Sequence, residues 1–335
     1  MKRFPLAKTA LIALLGSLTS IALAQQSDYA APRLVDGAPD LQGIWTNNTI
    51  TPLTRPAEFG DKLVLSREEA AKLEQDVAQY AEQADQPSDP NREAPTKGQI
   101  DLADSYNNFW FDDGTKVAQY NGEFRSSLLV DPPNGQFPEY TPAAESRMAM
   151  AREERAKFGS FDGPEMRPLA ERCLLSFSSS GGPPMLPILY NNHYQIVQSP
   201  GYVMILVEMV HDARIIRIDS EPLPAAIRPW LGDSLGHWEG DTLVVATSRF
   251  NPNQNFRNSS ENVQITERFT RVAEDTINYS FTVNDPDTFT QPFTAEIPMH
   301  TTTERPYEYA CHEGNYSLPG VLAGARLEER GVSSN

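Results

Sequence analysis

Basic residues are scarce in this chain: 28 Lys and Arg stand against 45 Asp and Glu, a formal net charge of −17. A surface of that sign repels phosphate backbones and anionic headgroups, so neither nucleic acid nor a membrane surface is an expected partner. Long apolar runs are also missing. Beyond residue 24, charge, Pro or Gly breaks every hydrophobic stretch within about ten residues, too short for a spanning helix, so no membrane insertion is expected. Cysteine is limited to Cys173 and Cys311. No glycine-rich phosphate loop, nucleophile elbow, zinc-protease helix or Cys-pair metal motif occurs, so no cofactor and no metal are expected.

What the chain has begins with an export signal. Lys2, Arg3 and Lys8 precede an apolar run from Ala10 to Leu23, and Ala22-Leu23-Ala24 offers small residues for cleavage before Gln25. Gln25 stands where a lipoprotein needs Cys, so the expectation is release into the periplasm or medium after cleavage behind Ala24. Cleavage removes three positive charges and no acid, which takes the mature chain to −20. In an oxidising compartment two cysteines favour one Cys173–Cys311 disulfide, worth about 4–5 kcal/mol in the chain-entropy model; two buried free thiols are the alternative.

The 27 prolines and 20 glycines punctuate the chain heavily, which suits short strands. Asp40 to Thr46 reads as the opening of a strand. Ser66-Arg67-Glu68-Glu69 forms a capping box, and Ala70, Leu73, Val77 and Tyr80 follow at helical spacing, predicting a helix over 66–84. A polar stretch over 82–100 follows, and a second helix over 142–157 reads as a solvated charged face. From residue 190 on, strand and turn alternate: 194–198, 202–209, 213–218, 236–239, 243–247, 263–272, 277–283, 294–302 and 307–311. The expected fold is mainly β, an antiparallel barrel or a sandwich with a few peripheral helices, and closure of exposed edges favours the barrel. The expected organisation is a signal peptide over 1–24, an N-terminal strand, helices and polar loops over 25–160 packing on the barrel, and the main antiparallel β region over 161–335.

Gly43-Ile44-Trp45 resembles the Gly-x-Trp that opens lipocalin barrels, and Gly236-His237-Trp238 repeats the spacing. A wider resemblance runs from Glu171 to Tyr316. Glu171-Arg172-Cys173, the Gly182–Pro187 segment, Tyr190-Asn191-Asn192, Trp238–Val245, Phe256–Asn262, Glu267–Arg271 and Tyr309–Tyr316 are similar to a family of exported bacterial proteins. That likeness implies export and carries no activity with it, while the Gly-x-Trp likeness implies a lipocalin-like barrel.

Candidate chemistry comes from clusters. Period-two counting puts His211 at the end of the apolar face Val203, Ile205, Val207 and Met209, a place where a proton carrier is tuned near neutrality; a backbone-bonded turn histidine is the plain alternative. The same counting aims Glu267 and Arg271 at the face of Val263, Ile265 and Phe269. There Glu267, with Arg271 or Arg257, serves either as general base and substrate holder or as a structural ion pair. His312 adjoins Cys311 and Glu313, so a disulfide fixes it in place. The loop from Asn255 to Asn262, with Arg257 and Glu261, suits an oxygen-rich ligand, and Trp230, Trp238, Tyr190 and Tyr316 supply apolar walls. These residues compose the expected site: His211, Glu267 and His312 for proton transfer, with Arg257, Glu261, Arg271, Trp230 and Tyr316 for substrate. The expected function is cofactor-independent acid/base catalysis of the isomerase, lyase or hydrolase type. Its substrate is a small oxygenated, partly apolar organic molecule. A lipocalin-like binding protein without turnover is the alternative.

Overall fold

The computed structural model describes residues 29–84, 91, 111–112, 114–175, 182–189, 191–254 and 256–331. The expected signal peptide, most of the polar stretch, Tyr190 and Asn255 lie outside the described residues.

Nine strands close into a barrel. Around the ring the order is β1 (Gly43–Thr46), β6 (His193–Ser199), β7 (Tyr202–Val207), β8 (Ala213–Ile218), β9 (Asp233–Glu239), β10 (Thr242–Ser248), β11 (Gln264–Ala273), β12 (Thr276–Asn284) and β13 (Phe293–Thr301), which returns to β1. Closure leaves a mainly β barrel rather than a sandwich. A ring with an odd number of staves cannot alternate direction all the way round, so at least one neighbouring pair must run parallel. That pair is β8–β9, where the expectation of an entirely antiparallel sheet fails, and residues 219–232 carry the chain back along the wall between them. β1 is a stave of the barrel, paired with both β6 and β13, although it is far from them in sequence. The short β5 (Leu129–Asp131) adds to the start of β13, and β2 (Val64–Leu65), β3 (Gln119–Tyr120) and β4 (Glu123–Arg125) make a small separate sheet.

Period-two patterning is what turns these segments into staves. In β12, Ile277, Tyr279, Phe281 and Val283 are all buried on the inner face. β7 contributes Val203, Ile205 and Val207, and β11 Ile265, Glu267 and Phe269. Trp45, Tyr194, Phe269, Tyr279, Phe281 and Phe293 are among the largest fully buried side chains, each stabilising by about 1.5–3 kcal/mol relative to exposure. Their bulk fills the interior, so the barrel is a packed core and not a cup.

The helix α1 (Arg67–Ala84) starts on the expected capping box: Glu69 N donates to Ser66 Oγ at 3.2 Å, and Ser66 N donates to Glu69 Oε2 at 2.8 Å. The helix α2 (Pro142–Arg155) is capped by Thr141, whose hydroxyl accepts from Ala144 N, with Pro142 in the first turn. Residues 307–311 form no strand, because β1 and β5 already occupy the free edge of β13. After Thr302 N donates to Ile44 O the chain leaves the wall, passes Pro306 and enters the short helix α3 (Cys311–Gly314), followed by α4 (Ser317–Glu329). Cys173 and Cys311 form the expected disulfide, with Cα atoms 5.7 Å apart across 138 residues, and tie this C-terminal segment to the body. Among the described residues no helix is long and apolar enough to cross a membrane.

Candidate functional site

The expected catalytic residues do not meet. Glu267 is 0% exposed inside the barrel. Both its oxygens bind the Arg214 guanidinium, one at 2.9 Å, and Tyr279 Oη donates to Oε1 at 2.9 Å. Arg214 also donates to Ser234 Oγ and Thr247 Oγ1, each at 3.0 Å, and Tyr279 Oη accepts from Met185 N at 3.0 Å. Burial, and then the Glu267 charge, push the Tyr279 hydroxyl well above its usual range. The arrangement is a sealed structural ion pair, with Arg214 in the place expected for Arg271 or Arg257.

His211 is exposed. β7 ends at Val207, and the chain turns through Val210 and His211 at φ +60° and +47°, so the strand's two-residue period no longer applies at residue 211. His312 is exposed on α3 beside the disulfide. Arg271 lies at one end of the barrel over the Trp45 ring, donating to Asp40 O and Glu274 O. Trp230 is half-buried in the connection between β8 and β9, and Tyr316 is 83% exposed ahead of α4.

Of the expected site residues, Glu261 alone borders a groove. An open groove of about 1200 Å³ runs between α2 and the segment 250–262. Its helix wall is Ala143, Arg147, Met148, Ala151, Arg152 and Arg155, positions spaced to share one helical face. The facing wall is Asn258 to Asn262, over an apolar floor of Phe158, Phe250 and Pro252. The loop is tightly pinned. Asp285 accepts from Ser260 N at 2.6 Å and Ser260 Oγ at 2.8 Å, and Asn262 donates to Asp287 at 2.8 Å. Glu261 pairs with Arg228 at 3.0 Å, and the helix reaches across through Arg147, which donates to Asn258 O and Thr288 Oγ1. Arg257 and Asn258 hold left-handed backbone at φ +50° and +61°, a local cost of roughly 1–3 kcal/mol each that the surrounding bonds must sustain. The Arg257 guanidinium carbon lies over the Phe137 ring, 3.5 Å from its centroid and just outside the groove; loss of water there lowers its pKa even though the residue as a whole is exposed.

Within the groove the three arginines differ. Arg147 is committed to the loop, and Arg155 donates to Met166 O. The Arg152 guanidinium makes no hydrogen bond or ion pair with any described residue. A guanidinium so placed presents a planar set of donors to a carboxylate or a similar oxyanion.

A second polar cluster lies on the outer wall, where His193 Nδ1 and Glu208 Oε2 are 2.8 Å apart and Tyr307 N donates to Glu208 Oε1 at 2.7 Å. The hydrogen bond that His193 donates to the Glu208 carboxylate raises the His193 pKa. Burial pushes Glu208 up, but the bonds from His193 and Tyr307 outweigh it and hold the carboxyl below the usual range. The pair was legible: counting outward from the Pro200-Gly201 turn, with Ser199 opposite Tyr202, sets His193 opposite Glu208. Arg214 was legible too, one stride from Ile216 on the inner face of β8. The groove arginines appear only when α2 is drawn as a wheel and something is known to face it.

The chain matches no protein-family model and no curated protein. Among the described residues no three His, Cys, Asp or Glu side chains are grouped to hold a metal ion.

Proposed function

We propose that this protein works outside the cytoplasm by binding a small, oxygen-rich, partly apolar organic anion in the groove between α2 and residues 250–262. The observation that carries the reading is Arg152, whose guanidinium has no partner among the described residues and lies beside an apolar floor, opposite a polar wall of Asn258, Ser259, Ser260, Asn262 and the Arg228-paired Glu261. The barrel interior is filled, so binding at the outer surface replaces the lipocalin-like mode in which the ligand sits inside. The disulfide is compatible with an oxidising compartment.

Titration of the folded protein with 4-hydroxycinnamate and with its neutral amide tests the assignment. The carboxylate binds more tightly, and Arg152→Ala weakens it by roughly tenfold or more while leaving the melting temperature unchanged. Equal affinity for acid and amide, or unchanged affinity in Arg152→Ala, rejects it.

Acid/base turnover is the second reading, and one observation favours it: His193 is an imidazole oriented by a carboxylate, with Nε2 directed outward 3.8 Å from Glu304. Incubating groove ligands with the protein and following them by NMR separates the readings. Ligands that persist chemically unchanged support binding alone; conversion that stops in His193→Gln and continues in His211→Ala supports catalysis at His193.

A further inference from the structure

A second cavity, of about 790 Å³, lies beneath the C-terminal half of α1, away from the groove. α1 is packed at its start, where Ala70 joins Leu65 and Val117 in a small core with Leu73 beside them. Farther along, Val77 and Tyr80 hang over open space lined by Ile50, Pro52, Leu53 and the apolar run Leu186 to Leu189. The two threonine hydroxyls are already used: Thr49 Oγ1 donates to Lys116 O and Thr51 Oγ1 to Arg125 O.

Asp112 is the one carboxylate among the described residues that line this cavity, and it is rigidly held. Its backbone N donates to Leu189 O at 2.6 Å, its carbonyl accepts from Asn192 Nδ2 at 2.9 Å, and its Oδ1 accepts from Asn48 Nδ2 at 2.5 Å. Its Oδ2 is buried and has no hydrogen-bond partner among the described residues. A buried carboxylate oxygen without a donor is costly, and native proteins fill such positions with a proton donor or a cation. Asp112 also interacts electrostatically with the nearby His193 imidazole, which Glu208 and Glu304 engage as well.

We propose that this cavity binds a small organic amine, its ammonium group on Asp112 Oδ2 and its apolar body under Val77 and Tyr80. A hard metal cation suits the cavity poorly, because such ions need six or so oxygen ligands and the walls are hydrocarbon. An ammonium needs few acceptors, and its apolar substituent gains from the same walls.

The test titrates phenethylamine into the full-length protein, with 2-phenylethanol as the neutral match, and follows both by saturation-transfer difference NMR. The amine saturates and the alcohol does not compete with it. Asp112→Asn, which keeps shape and the Asn48 contact, weakens the amine by roughly tenfold or more. Val77→Trp, which fills the cavity from α1 without touching Asp112, abolishes binding; Arg152→Ala leaves it unchanged, which separates this site from the groove. Equal binding of amine and alcohol overturns the proposal, as does full affinity in Asp112→Asn or an absence of saturation at millimolar amine. If Asp112→Asn does not fold, retention of amine binding in Val77→Trp is the overturning result.

Discussion

Inside the barrel, each nitrogen of Arg214 donates and both oxygens of Glu267 accept, and the pair is sealed from water. Outside it, the Arg152 guanidinium has no partner among the described residues, and Asp112 keeps a buried oxygen unmatched beside an apolar cavity. Both regions set charge against hydrocarbon, yet only the second leaves bonding capacity for something to occupy. An inward-pointing charge in a filled barrel is therefore a poor guide to function, and an unsatisfied group at an accessible cavity is a better one.

The sharpest way to break this contrast is to remove half of the sealed pair. Glu267→Ala strands a buried guanidinium and costs about 3–5 kcal/mol in denaturant unfolding, whereas the double replacement Arg214→Met with Glu267→Leu costs far less. A single-mutant loss below about 1 kcal/mol, the scale of an exposed pair, would show that water reaches the network. Arg152→Ala makes the opposite change in the groove: affinity for the carboxylate falls while stability holds, and a drop in stability instead would make Arg152 scaffold.

His193 and Glu208 lie between the two extremes, hydrogen-bonded but close to the surface. The raised His193 pKa contributes stability that is fully present below the ordinary imidazole value of 6.5 and is lost as pH rises through the folded-state value. The lowered Glu208 pKa contributes stability present above 4.5 and lost as pH falls through its own folded-state value. The melting-temperature difference between the native chain and His193→Gln is thus greatest between those limits and shrinks on either side. A difference that stays flat across both titrations means that the pair carries no net charge coupling. The smallest effect belongs to His211, exposed and left-handed: His211→Gly relieves backbone strain and raises stability by about 0.5–1 kcal/mol. Destabilisation there would reveal a contact made by the imidazole ring.

Much of the architecture was written locally. β8 runs over the expected residues, Ala213–Ile218, because alternation and flanking turns are properties of neighbours along the chain. The capping box of α1 likewise needs only Ser66 and Glu69. Counting failed where the chain leaves its period. His211 follows a strand that has already ended, and residues 307–311 have strand composition but no unoccupied edge to join.

By itself, the sequence determined an acidic chain with short alternating strands, one amphipathic helix, one solvated charged helix and a pair of cysteines suited to one bridge. Each of these follows from residue type and spacing. Only the tertiary structure decided that nine staves close with one parallel pair, that Glu267 meets Arg214, and that the arginine face of α2 lies opposite the Asn258–Asn262 wall. Those outcomes depend on how distant segments pack and register against one another. A side chain pointing inward is fixed by period two, but whether it meets a partner, a neighbour's bulk or an empty cavity is set by residues scores of positions away.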